Sequence, residues 1–96
     1  QLQFDILGLL TMTLQEKFAD AQVRVKTLTS RPSNEDLLQL YALYKQATDG
    51  DNDSKKPGMF DIKEQFKWKT WTELKGTSKD SAMQKYLDLV NKLLGV

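Results

Sequence analysis

Cysteine and histidine are both missing from the 96 residues. Without cysteine there is no disulfide, no zinc–thiolate site and no thiol nucleophile, a composition compatible with the cytosol. Without histidine there is no Ser–His–Asp chemistry, no imidazole metal ligand and no side chain that ordinarily titrates near neutral pH. The serines, threonines, lysines and carboxylates that remain show no spacing that pairs a nucleophile with a base, so no enzyme is expected. Charge of one sign is also scarce in excess: 14 basic against 13 acidic residues leave +1. No global field draws nucleic acid or an anionic membrane, and any anion site must be a local group of lysines. The most apolar stretch, residues 1–12, is far short of the roughly 20 residues a spanning helix needs. It has neither a basic leading segment nor a small-residue cleavage site, which argues against a signal peptide. It reads as an extension, with Met12 a candidate natural start and Phe4, Ile6, Leu7, Leu9 and Leu10 a candidate self-association site.

What is present is helical periodicity within a length that suits one small domain, placed at residues 13–96. Thr13 and Glu16 have capping-box spacing, and Leu14, Phe18, Ala21 and Val25 recur along one stripe. Thr29-Ser30-Arg31-Pro32 breaks the chain. Ser33 then caps a second helix, with Glu35 and Asp36 in its first turn and Gly50 at its end. Asp61 and Glu64 give a third cap, with Ile62, Phe66, Trp68, Trp71 and Leu74 as the apolar positions and Gly76 as the stop. Thr77 or Ser78 caps a fourth helix, whose broad apolar face runs from Ala82 to Leu94. No strand alternation competes, so the expected fold is an all-α four-helix bundle with its longest loop between helices two and three.

Tyr41, Tyr44 and Lys45 share one face of the second helix, being three and four residues apart. Two rings and an ammonium suit a ligand that is aromatic and anionic together, such as a nucleotide; core tyrosines and a solvated lysine are the alternative. Lys63 and Lys67 share a face of the third helix, either around an anion or as a plain basic surface. Trp68 and Trp71 read as core, Tyr86 sits on the apolar stripe of the last helix, and Lys26 is a cation at a helix C-terminus. Asp49, Asp51 and Asp53 imitate a calcium loop, but Ser54 replaces its glycine and Phe60 its final glutamate. Calcium is therefore excluded.

The segments LYALYKQATDGD, KPGMFD, KWKTW and ELKGTSKDSAMQKYLDLV resemble the acyl-CoA-binding proteins, small four-helix carriers of fatty acyl-CoA. The resemblance covers about Leu14 to Leu94 and leaves residues 1–12 outside. It implies an up-down-down-up bundle whose first and last helices pack on the second. It also implies a site for adenine and the 3′-phosphate at Tyr41, Tyr44, Lys45 and Lys67, joined by Lys63, Tyr86 and Lys26. Thr27 departs from the family, which often has histidine there. Leu38, Met59 and Phe18 are candidates to line the acyl groove. By this resemblance the chain is a cytoplasmic carrier and pool former for medium- to long-chain acyl-CoA. It would act without a cofactor, as a monomer, with acyl-CoA-using enzymes as transient partners and without stable insertion in a membrane. The other function considered is a binding or interaction module of a larger lipid-metabolising enzyme.

Overall fold

The computed structural model describes residues 12–96, so the expectations for the first eleven residues lie outside it. Helix α1 is Leu14–Arg24, followed by a 3-10 turn Val25–Thr27; α2 is Asn34–Asp49, α3 is Ile62–Thr72 and α4 is Lys79–Leu94. Their starts follow local chemistry. The Thr13 hydroxyl accepts from the Glu16 N–H at 3.1 Å, while Glu16 Oε1 accepts from the Thr13 N–H at 2.8 Å, a complete capping box. Ser33 and Ser78 each accept from the N–H three residues on, at 3.1 Å, which settles the fourth cap on serine. Asp61 departs from expectation. It precedes α3 but its side chain caps nothing, and Glu64 turns instead to the Lys67 ammonium at 3.3 Å.

Three sets of contacts give the topology. Arg24, at the end of α1, donates to Asn91 near the end of α4 at 3.0 Å, so these helices run in parallel. Gln46, near the end of α2, donates to the carbonyl of Thr77 just before α4 at 2.8 Å, so α2 runs antiparallel to α4. Lys67 lies over Tyr41 and Lys45 over Trp71, so residue numbers rise together along α2 and α3. The bundle is up-down-down-up.

Its core joins Phe18 and Ala21 of α1, Leu40, Leu43 and Ala47 of α2, and Ala82, Tyr86, Leu87 and Val90 of α4. α4 packs on both α1 and α2, whereas the backbone of α1 lies against α4 and not against α2. The first helix meets the second through side chains, Phe18 stacking on Tyr44 with ring centroids 6.1 Å apart. Among the described residues α3 packs on α2 and on no other helix. That placement corrects the expectation for Ile62 and Phe66, which are 62% and 54% exposed, while Trp71 is buried.

The loop between α2 and α3 is tied down at many points. Trp71 Nε1 donates to the Gly50 carbonyl at 2.9 Å and Trp68 Nε1 to that of Ser54 at 3.0 Å. Asn52 donates to Thr72 Oγ1 at 2.9 Å and accepts from the Ser54 N–H. Asp51 accepts from Gln46 and from the Gly76 N–H, both at 2.9 Å, linking the loop to the turn before α4. Asp49 is paired with Lys45, and no group that could hold a metal ion occurs among the described residues. Of the aspartates in that stretch, Asp51 fastens the loop and Asp49 pairs within its own helix.

Candidate functional site

Two clefts open on the α2 surface and share Arg31, Leu37 and Tyr41 as a common wall. The first, of about 500 Å³, lies over Val25, Leu28, Leu40, Tyr44 and Tyr86. The second, of about 730 Å³, lies between α2 and α3, lined by Asn34, Glu35, Leu38, Lys63, Phe66 and Lys67. Tyr41 is therefore where an aromatic wall passes into a lysine-bearing apolar trough.

Of the seven expected site residues, the structure gathers five around these clefts. Tyr41 lines both. Its ring has the Lys67 ammonium 4.5 Å from its centroid. Tyr44 is 40% exposed and offers one ring face to solvent while the other leans on Phe18. Tyr86 lines the same cleft from below, 6% exposed and edge-on to Phe18 at 5.1 Å. Burial pushes the Tyr86 phenol above its ordinary pKa, keeping it a neutral donor. Lys63 and Lys67 lie on the α3 side of the second cleft, four residues apart as a helix face requires.

The two others lie at the edges. Lys45 sits one turn beyond Tyr41 on α2, with its ammonium 4.9 Å from the Trp71 ring centroid and 2.5 Å from Asp49. The hydrogen bond to Asp49 raises the lysine pKa and lowers the carboxylate's, so both remain charged. Lys26 is exposed in the 3-10 turn and lines neither cleft, although its neighbours Val25 and Leu28 line the first. Among the acyl-groove candidates, only Leu38 lines a cleft. Phe18 is a core residue behind Tyr44 and Tyr86, and Met59 is 74% exposed on a turn outside both clefts.

Arg31 and Phe66 are functional candidates that periodicity missed. Arg31 precedes Pro32 in a loop, and a loop residue carries no helical phase; the only available signal was that a residue before proline is driven to extended backbone. By spacing Phe66 is simply one of the apolar positions of α3, and it is 54% exposed. Its exposure follows from α3 having one helix neighbour among the described residues.

A bundle with tyrosine faces, lysine ammonium groups and an aliphatic trough on one surface suits an amphipathic anion. A family model described as Acyl CoA binding protein matches residues 15–90, and the chain belongs to that family. It is 54% identical over 83 residues to Acyl-CoA-binding protein homolog 1 of Caenorhabditis elegans, covering 86% of this chain and 94% of that protein. Against the Acyl-CoA-binding protein of Saccharomyces cerevisiae the identity is 46% over 81 residues, covering 84% and 93%. The crystal structure of Oryza sativa Acyl-CoA-Binding Protein 2 superposes with a TM-score of 0.83 at 44% identity, over 86% of this chain and 92% of that one.

Proposed function

We propose that residues 13–96 form an acyl-CoA-binding domain that holds medium- to long-chain fatty acyl-CoA esters and carries them between acyl-CoA-using enzymes in the cytoplasm, without chemistry of its own. The observation that carries this reading is the Tyr41–Lys67 contact at the common wall of the two clefts. A nucleobase stacks on a tyrosine face, and the adjacent ammonium reaches a phosphate with little movement. The lysines are held only lightly beforehand. An exposed cation–π contact is worth about 0.5–1 kcal/mol and a surface ion pair about 0.2–1 kcal/mol. Hydrogen bonds to a charged partner contribute about 1.5–3 kcal/mol, so a phosphate wins Lys67 from Tyr41 and Glu64, and Lys45 from Asp49.

The acyl chain would lie in the trough formed by Leu37, Leu38 and Phe66. Burial stabilises by about 0.8 kcal/mol per methylene, so ten give about 8 kcal/mol before ordering costs are subtracted. Head-group contacts then set specificity and chain length sets affinity. Family membership and the Tyr41 cluster support the ligand; Tyr41, Tyr44, Lys45, Lys63, Lys67 and Tyr86 are proposed to contact it, with Arg31 added and Lys26 at the margin. No helix among the described residues is long and apolar enough to cross a membrane, which fits a carrier. Calorimetric titration with acyl-CoA, CoA and free fatty acid in parallel tests this. The ester should bind tightest, and Lys67→Ala and Tyr41→Ala should each weaken it about tenfold or more. Fatty acid binding as tightly as its CoA ester would refute the head-group assignment.

A further inference from the structure

Two charges stand at the wrong ends of their helices. Asp49 is the last residue of α2, and Lys79 is the first of α4. A helix dipole disfavours an anion at its C-terminus and a cation at its N-terminus, so each is misplaced on its own helix. The antiparallel packing of α2 on α4 brings these two ends together, as the 2.8 Å bond from Gln46 to the Thr77 carbonyl shows. Lys79 leans across the gap: a Cβ added to Gly50, the residue after Asp49, would lie 3.6 Å from the Lys79 Cε. Lys79 is exposed and forms no ion pair among the described residues. Its charge nevertheless reaches Asp49. The carboxyl of Asp49 is held below its ordinary pKa mainly by the hydrogen bond from Lys45, and in smaller part by the positive charge of Lys79.

Asp49 therefore stands between two cations, and only one of them belongs to the proposed ligand site. Lys45 is its partner here, at 2.5 Å, with the ammonium also over the Trp71 ring. A phosphate that draws Lys45 away leaves a carboxylate without a partner, one helical turn from a new negative charge. It also leaves that carboxylate at the helix end where the dipole disfavours it. Both effects oppose binding. A second cation already resting on Gly50 relieves them, because a lysine ammonium on its flexible four-carbon stem turns readily to a new partner.

We propose that Lys79 is a positioning residue for acyl-CoA binding, acting through Asp49: it takes over the carboxylate when the ligand phosphate takes Lys45. The Lys45–Asp49 pair of the free protein becomes an Asp49–Lys79 pair in the complex. The end of α2 is thereby fastened to the start of α4 as the ligand is held. Lys79 lines neither cleft, so its effect on affinity passes through Asp49 and not through a contact with the ligand. The exchange rests on the acyl-CoA reading of the site.

The test is a double-mutant cycle in affinity for a long-chain acyl-CoA, measured calorimetrically on the parent, Lys79→Gln, Asp49→Asn and the double variant. Lys79→Gln should weaken binding by about two- to fivefold, and Asp49→Asn should tighten it by up to about fivefold, the range an exposed pair allows. In the Asp49→Asn background, Lys79→Gln should change affinity by less than about twofold, because the carboxylate it served is gone. Lys79→Arg keeps the charge and should bind as the parent does. All variants should keep the helical circular dichroism spectrum of the parent, since both side chains are on the surface. The coupling should fade with added salt, because surface attraction is screened within about 10 Å at 0.1 M. An equal loss from Lys79→Gln in both backgrounds, or no loss in the parent, overturns the proposal and leaves the functional reading standing. A parent that binds no acyl-CoA overturns the functional reading, and the exchange of partners with it.

Discussion

Lys45 and Lys67, whose ammonium groups lie over the Trp71 and Tyr41 rings, are each paired with a carboxylate of their own helix. Asp49 and Glu64 thus hold the lysines in place but compete with an incoming phosphate. Glu64→Gln should raise acyl-CoA affinity by a factor of up to about five, the range that a surface pair of 0.2–1 kcal/mol allows, and the gain should shrink in high salt. Titration at two ionic strengths checks both parts. Asp51 behaves differently. The Gly76 N–H, and then the Gln46 amide, hold its carboxyl below the usual carboxylate range. A carboxyl that titrates lower when folded lends stability that is whole above its unfolded value of about 3.9 and is lost as pH falls through the folded one. Urea midpoints should therefore fall below about pH 4, and more shallowly in Asp51→Asn, whose amide oxygen still accepts from Gly76. Spacing set Tyr41, Tyr44 and Lys45 side by side on α2; the two tyrosines line one cleft, while Lys45 lies over Trp71. Spacing could not show that Asp49 and Glu64 engage the neighbouring lysines, because a pair at i,i+4 or i,i+3 is only an opportunity until the rotamers are fixed.

The loop between α2 and α3 is an element in its own right, and Gly50 makes it possible. Its φ of 83° and ψ of −152° form a combination open essentially to glycine alone. From that reversal its carbonyl accepts from Trp71, and the next residue reaches Gln46 and Gly76. Gly50→Ala should lower stability by about 1–3 kcal/mol, read as a shift in urea midpoint with little change in slope. Capping signals predicted the starts of α1, α2 and α4, since a serine or threonine facing its own third N–H is settled by local geometry. The start of α3 was harder to read. Its Asp61 and Glu64 have the right spacing, but Gln65 ties the preceding turn to the helix and Glu64 finds a lysine. Neighbouring side chains overrode the capping signal there, whereas it was the packing of α3 on α2 that left Ile62 and Phe66 exposed.

At the level of the whole molecule, ligand and fold are linked. A ligand at one hundred times its dissociation constant adds about 2.7 kcal/mol to the folded state. For a chain of this size that amounts to roughly 10–20 °C in Tm, checked by scanning calorimetry against CoA and fatty acid at equal concentration. The all-α class, the four helices and most of the core were legible because one apolar stripe per helix admits few packings. Which helix touches which was not. The resemblance placed α1 on α2, yet their only close ring contact is Phe18 with Tyr44, and the backbone of α1 follows α4.

Among the described residues that arrangement leaves α3 attached to the bundle through a single helix neighbour, while α4 is held between two. Native-state hydrogen exchange should divide accordingly. Amides of α4 and of the core half of α2 should open only with global unfolding, whereas those of α3 should exchange through a smaller, local opening. A ligand held, as proposed, by Tyr41 on one side and Lys67 on the other would close that opening. Its strongest protection should therefore appear along α3, including amides several turns from any atom it touches.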